Sequence, residues 1–142
     1  MTTTAPMVLR TEVRSFFDPA TGTVSHIVHE AGGGVCAIID PVLDYDAKSG
    51  RTSTDNADRI IAHVRGNGLD VAWILETHAH ADHLTAAPYL KEHLGGAVAI
   101  GGQIVAVQET FGALFNAGPD FNADGRPFDR LFDEGARFMI GA

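Results

Sequence analysis

Three short apolar runs, at residues 35–39, 71–75 and 97–100, constrain this chain more than any other feature. Each is long enough for a strand and too short for a stable helix. None alternates with polar residues, so each reads as a strand buried on both faces. Between the first two runs, Ala57, Ile60, Ile61 and Val64 recur at helical spacing. Thr54 or Asp55 suits the N-cap of that helix, and Gly66 or Gly68 its terminator. Between the second and third runs, residues 83–94 read as a helix closed by Gly95-Gly96, with Pro88 in its early turns. Beyond the third, Ile104, Val107, Phe111 and Leu114 mark a further amphipathic helix. Strand, helix, strand, helix, strand implies an α/β layer.

An initial β-meander precedes this layer. Residues 8–17 carry β-branched and aromatic side chains, and Asp18-Pro19-Ala20-Thr21-Gly22 has turn chemistry. Residues 23–30 form a second strand, which Gly32-Gly33-Gly34 ends. No Walker lysine follows those glycines and no helix starts there, so they read as a hairpin turn and not a phosphate loop. The strand 35–39 stops at Asp40-Pro41, because proline donates nothing to a ladder. Residues 48–54 and 118–127 read as polar loops, and Asp133-Glu134-Gly135 as a turn into a final strand at 136–140. No internal repeat and no low-complexity tract is visible.

At 142 residues the chain makes one domain or a piece of one. Its 45% hydrophobic and 20% charged residues are ordinary for a globular protein. A net charge of −8 lacks the basic footprint of nucleic-acid or anionic-membrane binding, so neither partner is expected. No apolar run approaches the roughly 20 residues of a membrane span, and the first residues carry no cationic segment leading into an apolar one. The single cysteine, Cys36, has no partner for an internal disulfide, which fits a reducing compartment. A cytoplasmic address is the expectation.

Of seven histidines, three fall within Thr77-His78-Ala79-His80-Ala81-Asp82-His83. The segment follows a buried strand directly, where ligand sites gather in open α/β sheets. His78 and His80 are two apart, so both imidazoles can point the same way in an extended loop. Alanines at 79 and 81 leave the space between them open. Imidazole and carboxylate without thiolate suit zinc, manganese or iron. Such a cation lowers the pKa of bound water or holds dioxygen and a sulfur substrate on open positions. The alternative is a polar turn whose histidines meet solvent, but three imidazoles so close would repel once protonated. His26, His29, His63 and His93 have no companion ligand and read as surface or packed histidines. Asp40 reads either as an acceptor that orients the metal loop or as a strand-end cap. Cys36, inside an apolar run, reads as an inert thiol.

The His-X-His-X-Asp-His pattern at 78–83 resembles the signature of the metallo-β-lactamase superfamily. Three segments narrow the likeness: Ile39-Asp40-Pro41-Val42-Leu43-Asp44-Tyr45-Asp46, Ile74-Leu75-Glu76-Thr77 running through the histidines to Leu84, and Phe128-Asp129-Arg130-Leu131-Phe132. Together they are similar to the bacterial persulfide dioxygenase group, including its β-lactamase-like hydrolase members. The resemblance runs roughly from Val8 to Gly141. It implies an α/β chain forming the first half of an αββα sandwich, with residues 1–142 as the N-terminal half of one domain.

The resemblance also implies the chemistry. In persulfide dioxygenases, which oxidise glutathione persulfide to sulfite and glutathione, His78 corresponds to the one motif histidine on a mononuclear Fe(II). His80, Asp82 and His83 then surround it. In the glyoxalase II-type thioesterases, which hydrolyse a glutathione thioester, His78, His80, Asp82 and His83 all bind a dinuclear zinc centre. Asp82 is the catalytic candidate. The family's later ligands, in His-Thr-Pro-Gly-His-like and Gly-Asp-Thr-like segments, have no counterpart in these 142 residues. The chain is therefore expected to be truncated, inactive alone, and prone to self-association through the face its missing half would cover.

Overall fold

The apolar runs become the centre of a six-stranded sheet. In this computed structural model, which describes residues 10–141, β1 (Thr11–Asp18) and β2 (Thr23–Glu30) form a hairpin around the 18–22 turn. The start of the expected first strand, at Val8 and Leu9, lies outside the described residues. Gly32, Gly33 and Gly34 all hold φ between 94° and 98° and return the chain into β3 (Val35–Ile39), antiparallel to β2. Positive φ at three successive residues is open only to glycine at little cost. That is the hairpin turn expected from the sequence.

β3 ends at Asp40, whose φ of 50° is unusual for a residue with a side chain. β4 (Val42–Asp46) then pairs with β5 (Arg51–Ser53) in a small second sheet. The expected loop at 48–54 is thus partly a strand. All three β5 residues are exposed, so no apolar alternation marked it. α1 (Asp55–Gly66) follows with Ala57, Ile60, Ile61 and Val64 buried, as their spacing required. β6 (Asp70–Leu75) runs parallel to β3.

The expected helix at 83–94 is shorter. Leu84–Thr85 form β7, pairing with Leu43 and Val42 of β4, and α2 spans Ala87–Leu94. Pro88 explains the shift: it has no N–H to donate and is tolerated only in a helix's first turn. Asp82 and His83 therefore lie in an irregular loop and not on a helix. Gly95 and Gly96 end α2, and a Cβ on Gly96 would sit 3.0 Å from both the carbonyl and a methyl of Val71. Only glycine lets the chain cross β6 so closely.

β8 (Ala97–Gly101) lies parallel to β6, and α3 (Ile104–Leu114) follows. Of its apolar stripe only Ile104 is buried, while Phe111 and Leu114 are exposed. The last strand is β9 (Arg130–Phe132), parallel to β8, and not the expected 136–140. The Asp129 carboxylate accepts from Val98 N at 2.8 Å and holds β9 at that edge. Residues near 138 pack under Trp73 instead: Phe138 stacks on Phe132, and Trp73 Nε1 donates to Met139 O at 2.9 Å.

The large sheet is ordered β1-β2-β3-β6-β8-β9 and the small one β5-β4-β7. Ile27, Ile38, Ile74 and Val98 face one another across four strands of the large sheet. All four are buried, in one core with Ile60 and Val64 of α1 and Leu90 of α2. The opposite side of the outer hairpin leaves Val13, Phe17 and Val24 exposed. No described helix is long and apolar enough to cross a membrane.

Two consequences are measurable. Ile74→Ala removes a side chain with no exposed surface and should cost about 2–5 kcal/mol in urea denaturation. Cys36 is equally buried, and burial, with the Asp70 charge behind it, pushes its thiol up to about 11. At pH 8 almost no thiolate is present, so iodoacetamide should label the folded chain negligibly and the urea-unfolded chain readily.

Candidate metal centre

Three parallel strand ends converge on the histidine loop. Asp40 N donates to Leu75 O at 2.9 Å, and Glu76 N to Ala99 O at 3.0 Å, so the residues after β3 and β6 are fixed by the sheet itself. From that position Asp40 reaches the loop. Its Oδ1 accepts from Thr77 N at 2.8 Å and lies 2.9 Å from His80 Nε2, while its Oδ2 accepts from the Thr77 hydroxyl at 2.8 Å. Burial opposes ionisation of Asp40, but these bonds outweigh it and hold the carboxyl below its ordinary range. Asp40 thus accepts from both Thr77 donors and meets the His80 ring. The Ser25 hydroxyl, 2.7 Å from Asp40 O, braces the strained backbone there.

The hydrogen bonds also assign the free nitrogens. Thr77 gives its proton to Asp40, so the 2.8 Å contact with His78 Nδ1 is donated by the imidazole, and His78 keeps Nε2 free. His80 gives its Nε2 proton to Asp40 and keeps Nδ1. Thr23 Oγ1 donates to Asp82 Oδ2 at 3.0 Å and lies 3.4 Å from His83 Nδ1, which leaves His83 Nε2. That atom is buried with no hydrogen-bond partner. A buried imidazole nitrogen without a partner is costly in a metal-free core, and is what a metal ligand looks like before its ion is supplied. Burial, with His80 adding to it, also lowers the pKa of His83 and favours the neutral, ligating form.

His80, Asp82 and His83 bring ligand atoms within 4.8 Å of one another. His78 belongs to no such group of three among the described residues, although its ring lies 4.0 Å from that of His80. It is exposed, whereas the His83 side chain is wholly covered. The ligand set therefore fits a cation: neutral imidazoles, one exposed carboxylate and no competing thiolate. Asp82 is held in its ionised form by its own backbone N–H and by the Thr23 hydroxyl.

A cleft of about 460 Å³ opens beside these groups, lined by Thr21, Leu43, Tyr45, His80, Asp82 and His83 among others. A smaller cavity of about 150 Å³ is lined by His78 and the apolar Ile100, Ile104 and Val107, and another of about 130 Å³ by His78, His80 and His83 with Ile100 and Ile104. The remaining histidines stay outside the site. His26 meets Ser15, buried His29 bonds Glu30 O, His63 packs on Phe16, and His93 bonds Tyr89 O.

Sequence reasoning missed the supporting residues Thr23, Glu76, Thr77 and Thr85. Glu76 is the clearest: it is buried beside the loop, and desolvation, with the Asp40 charge adding to it, pushes its carboxyl up to about 7. A charged residue directly after a continuous apolar strand was the available signal.

The chain is 58% identical over 130 residues to a probable metallo-hydrolase of Burkholderia pseudomallei, covering 92% of this chain and 44% of that protein. It is 45% identical to Glyoxylase B2 of Dictyostelium discoideum, with the same two coverages. A persulfide dioxygenase, mitochondrial ETHE1 of Bos taurus, is 29% identical over 65% of the chain and 30% of its own length. The crystal structure of ETHE1 from Myxococcus xanthus superposes with a TM-score of 0.50 at 29% identity, over 62% of this chain and 34% of that one. The chain thus spans less than half the length of the curated relatives it matches. The metallo-beta-lactamase superfamily model matches residues 19–141, from the first turn through the histidine loop to β9 and beyond. The chain belongs to the metallo-β-lactamase superfamily.

Proposed function

We propose that this chain supplies the histidine loop of a cytoplasmic persulfide dioxygenase, which oxidises glutathione persulfide with dioxygen to glutathione and sulfite. The observation that carries this reading is the difference between His78 and its neighbours. His78 has an exposed ring with a free Nε2 beside an apolar cavity, whereas His80 is fastened by Asp40 and Asp82 by Thr23. His78 is then the ligand from this chain to a single Fe(II), and His80, Asp82 and His83 shape the pocket. The likeness to ETHE1 supports the same assignment. The two further ligands of such a site belong to segments beyond those matched here, so the reaction is that of a longer protein.

When bound, the metal supplies Lewis-acid and redox chemistry at its open positions. This chain's own residues do the rest. Thr77 and Asp40 fix the imidazole orientations, Ile100 and Ile104 give the cavity beside His78 its apolar wall, and ionised Asp82 borders the substrate cleft, where it accepts a proton. The exposed apolar residues of the outer hairpin and of α3 support the expected self-association of the isolated chain.

A second reading has its own observation. His83 Nε2 is buried and unpartnered, and His80, Asp82 and His83 already cluster, which suits a dinuclear zinc site in which all four motif residues bind. The likeness to Glyoxylase B2 supports this reading, with a glutathione thioester as the substrate.

Metal content of the longer protein separates them. For the dioxygenase, one iron per protein and dioxygen uptake with glutathione persulfide are expected. His78→Ala should empty the site, while His80→Ala should weaken it by roughly 10–100-fold and leave measurable iron. Two metals in the wild type, equal loss in the two histidine variants and a fall toward one metal in Asp82→Ala would replace the dioxygenase with the thioesterase.

A further inference from the structure

Glu76 and Thr85 stand at the two ends of the loop 77–84, which carries every motif residue of the metal site. The Thr85 hydroxyl donates a hydrogen bond to Glu76 Oε1 and accepts from Ala87 N, at the head of α2, at 3.0 Å. The Glu76 backbone is anchored to β8 through Ala99 O. One carboxylate oxygen thus closes the base of the loop and ties it to α2 and the sheet. The other oxygen, Oε2, is buried without a hydrogen-bond partner and lies 3.5 Å from His80 Nε2, beside Asp40 Oδ1 at 2.9 Å from the same nitrogen.

A carboxylate oxygen left short of partners in a core is expensive. Leucine or methionine of similar volume would avoid that cost, so packing alone does not account for an acid here. The geometry does. One oxygen accepts from the chain that leaves the loop, and the other lies at ion-pair distance, 3.5 Å, from the imidazole nitrogen whose proton Asp40 accepts. Asp40 holds the same imidazole from the β3 side, and its oxygens are already shared with Thr77.

We propose that Glu76 is a positioning residue for the metal site: it staples the two ends of the histidine loop and, with Asp40, keeps the His80 Nε2 proton turned inward and Nδ1 free. The inference rests on the metal-site reading above. It assigns Glu76 no contact with metal or substrate, and it makes Thr85 part of the same device. Ordering a loop of this length in advance removes an entropic cost from metal binding.

The test uses the longer protein to which the proposed function refers, with cobalt(II) as the probe metal followed by its visible absorption. Long-range nitrogen–proton spectra of His80 are recorded without metal. The wild type should show a single His80 tautomer with the proton on Nε2. Glu76→Ala should bind cobalt roughly 10–100-fold more weakly and show mixed His80 tautomers. Glu76→Gln, which keeps the shape and one acceptor, should recover most of the affinity. Thr85→Val keeps the volume of a threonine without its hydroxyl, and should weaken binding in the same direction even if the alanine variant fails to fold. Wild-type affinity in Glu76→Ala or Thr85→Val would overturn the proposal, as would lost affinity with the His80 tautomer unchanged. No cobalt binding by the wild type would count against the metal site itself, and the metal-free spectra would still decide the role of Glu76.

Discussion

The site depends on one carboxylate. Asp40 sits where β3 ends, in a left-handed backbone conformation, and its two oxygens bind the Thr77 amide, the Thr77 hydroxyl and the His80 ring. These three contacts join the end of one parallel strand to the first residues after its neighbour. They also decide which nitrogens remain free: once Thr77 gives its proton to Asp40, His78 must give its Nδ1 proton to Thr77. One half-buried acceptor therefore sets two tautomers. Without it, nothing in the β3–β6 pairing would direct the imidazoles.

The rest of the fold brings two further supports to the same loop. The β1–β2 hairpin contributes a relay in which Thr21 links Asp18 to Thr23, and Thr23 holds Asp82. The small sheet contributes β7, whose pairing with β4 positions Thr85 beneath Glu76. Asp40 and Glu76 act from the sheet, Thr23 from the hairpin and Thr85 from below. The loop itself has almost no regular structure, so these side chains take the place of a ladder.

Much of this was legible in the sequence. The three buried strands and α1 follow from apolar spacing alone, and the glycine triplet and Asp40-Pro41 mark their ends. The histidine motif marked the superfamily and the loop on which the candidate site is built. What escaped had little apolar signal to offer. β5 is exposed throughout, β7 is two residues long, and β9 is held at the sheet edge by the distant Asp129–Val98 bond. The final strand expected at 136–140 failed because Phe138 found a better partner in the Trp73 and Phe132 rings than a strand edge provides. Glu76, Thr77 and Thr85 were unreadable as supports because their importance lies in partners brought together only by folding.

The central claim is that Asp40 orders the histidine loop before any metal arrives. The exchange rate of the Thr77 amide in the metal-free chain tests it most directly, because that proton is bound to Asp40 Oδ1 and to no strand. The account predicts that it exchanges as slowly as the amides of β6 beside it, and that Asp40→Ala releases it while the β6 amides stay protected. Exchange of the wild-type Thr77 amide at the rate of an unstructured peptide would contradict it, since the loop would then take its shape from the metal and not from the fold.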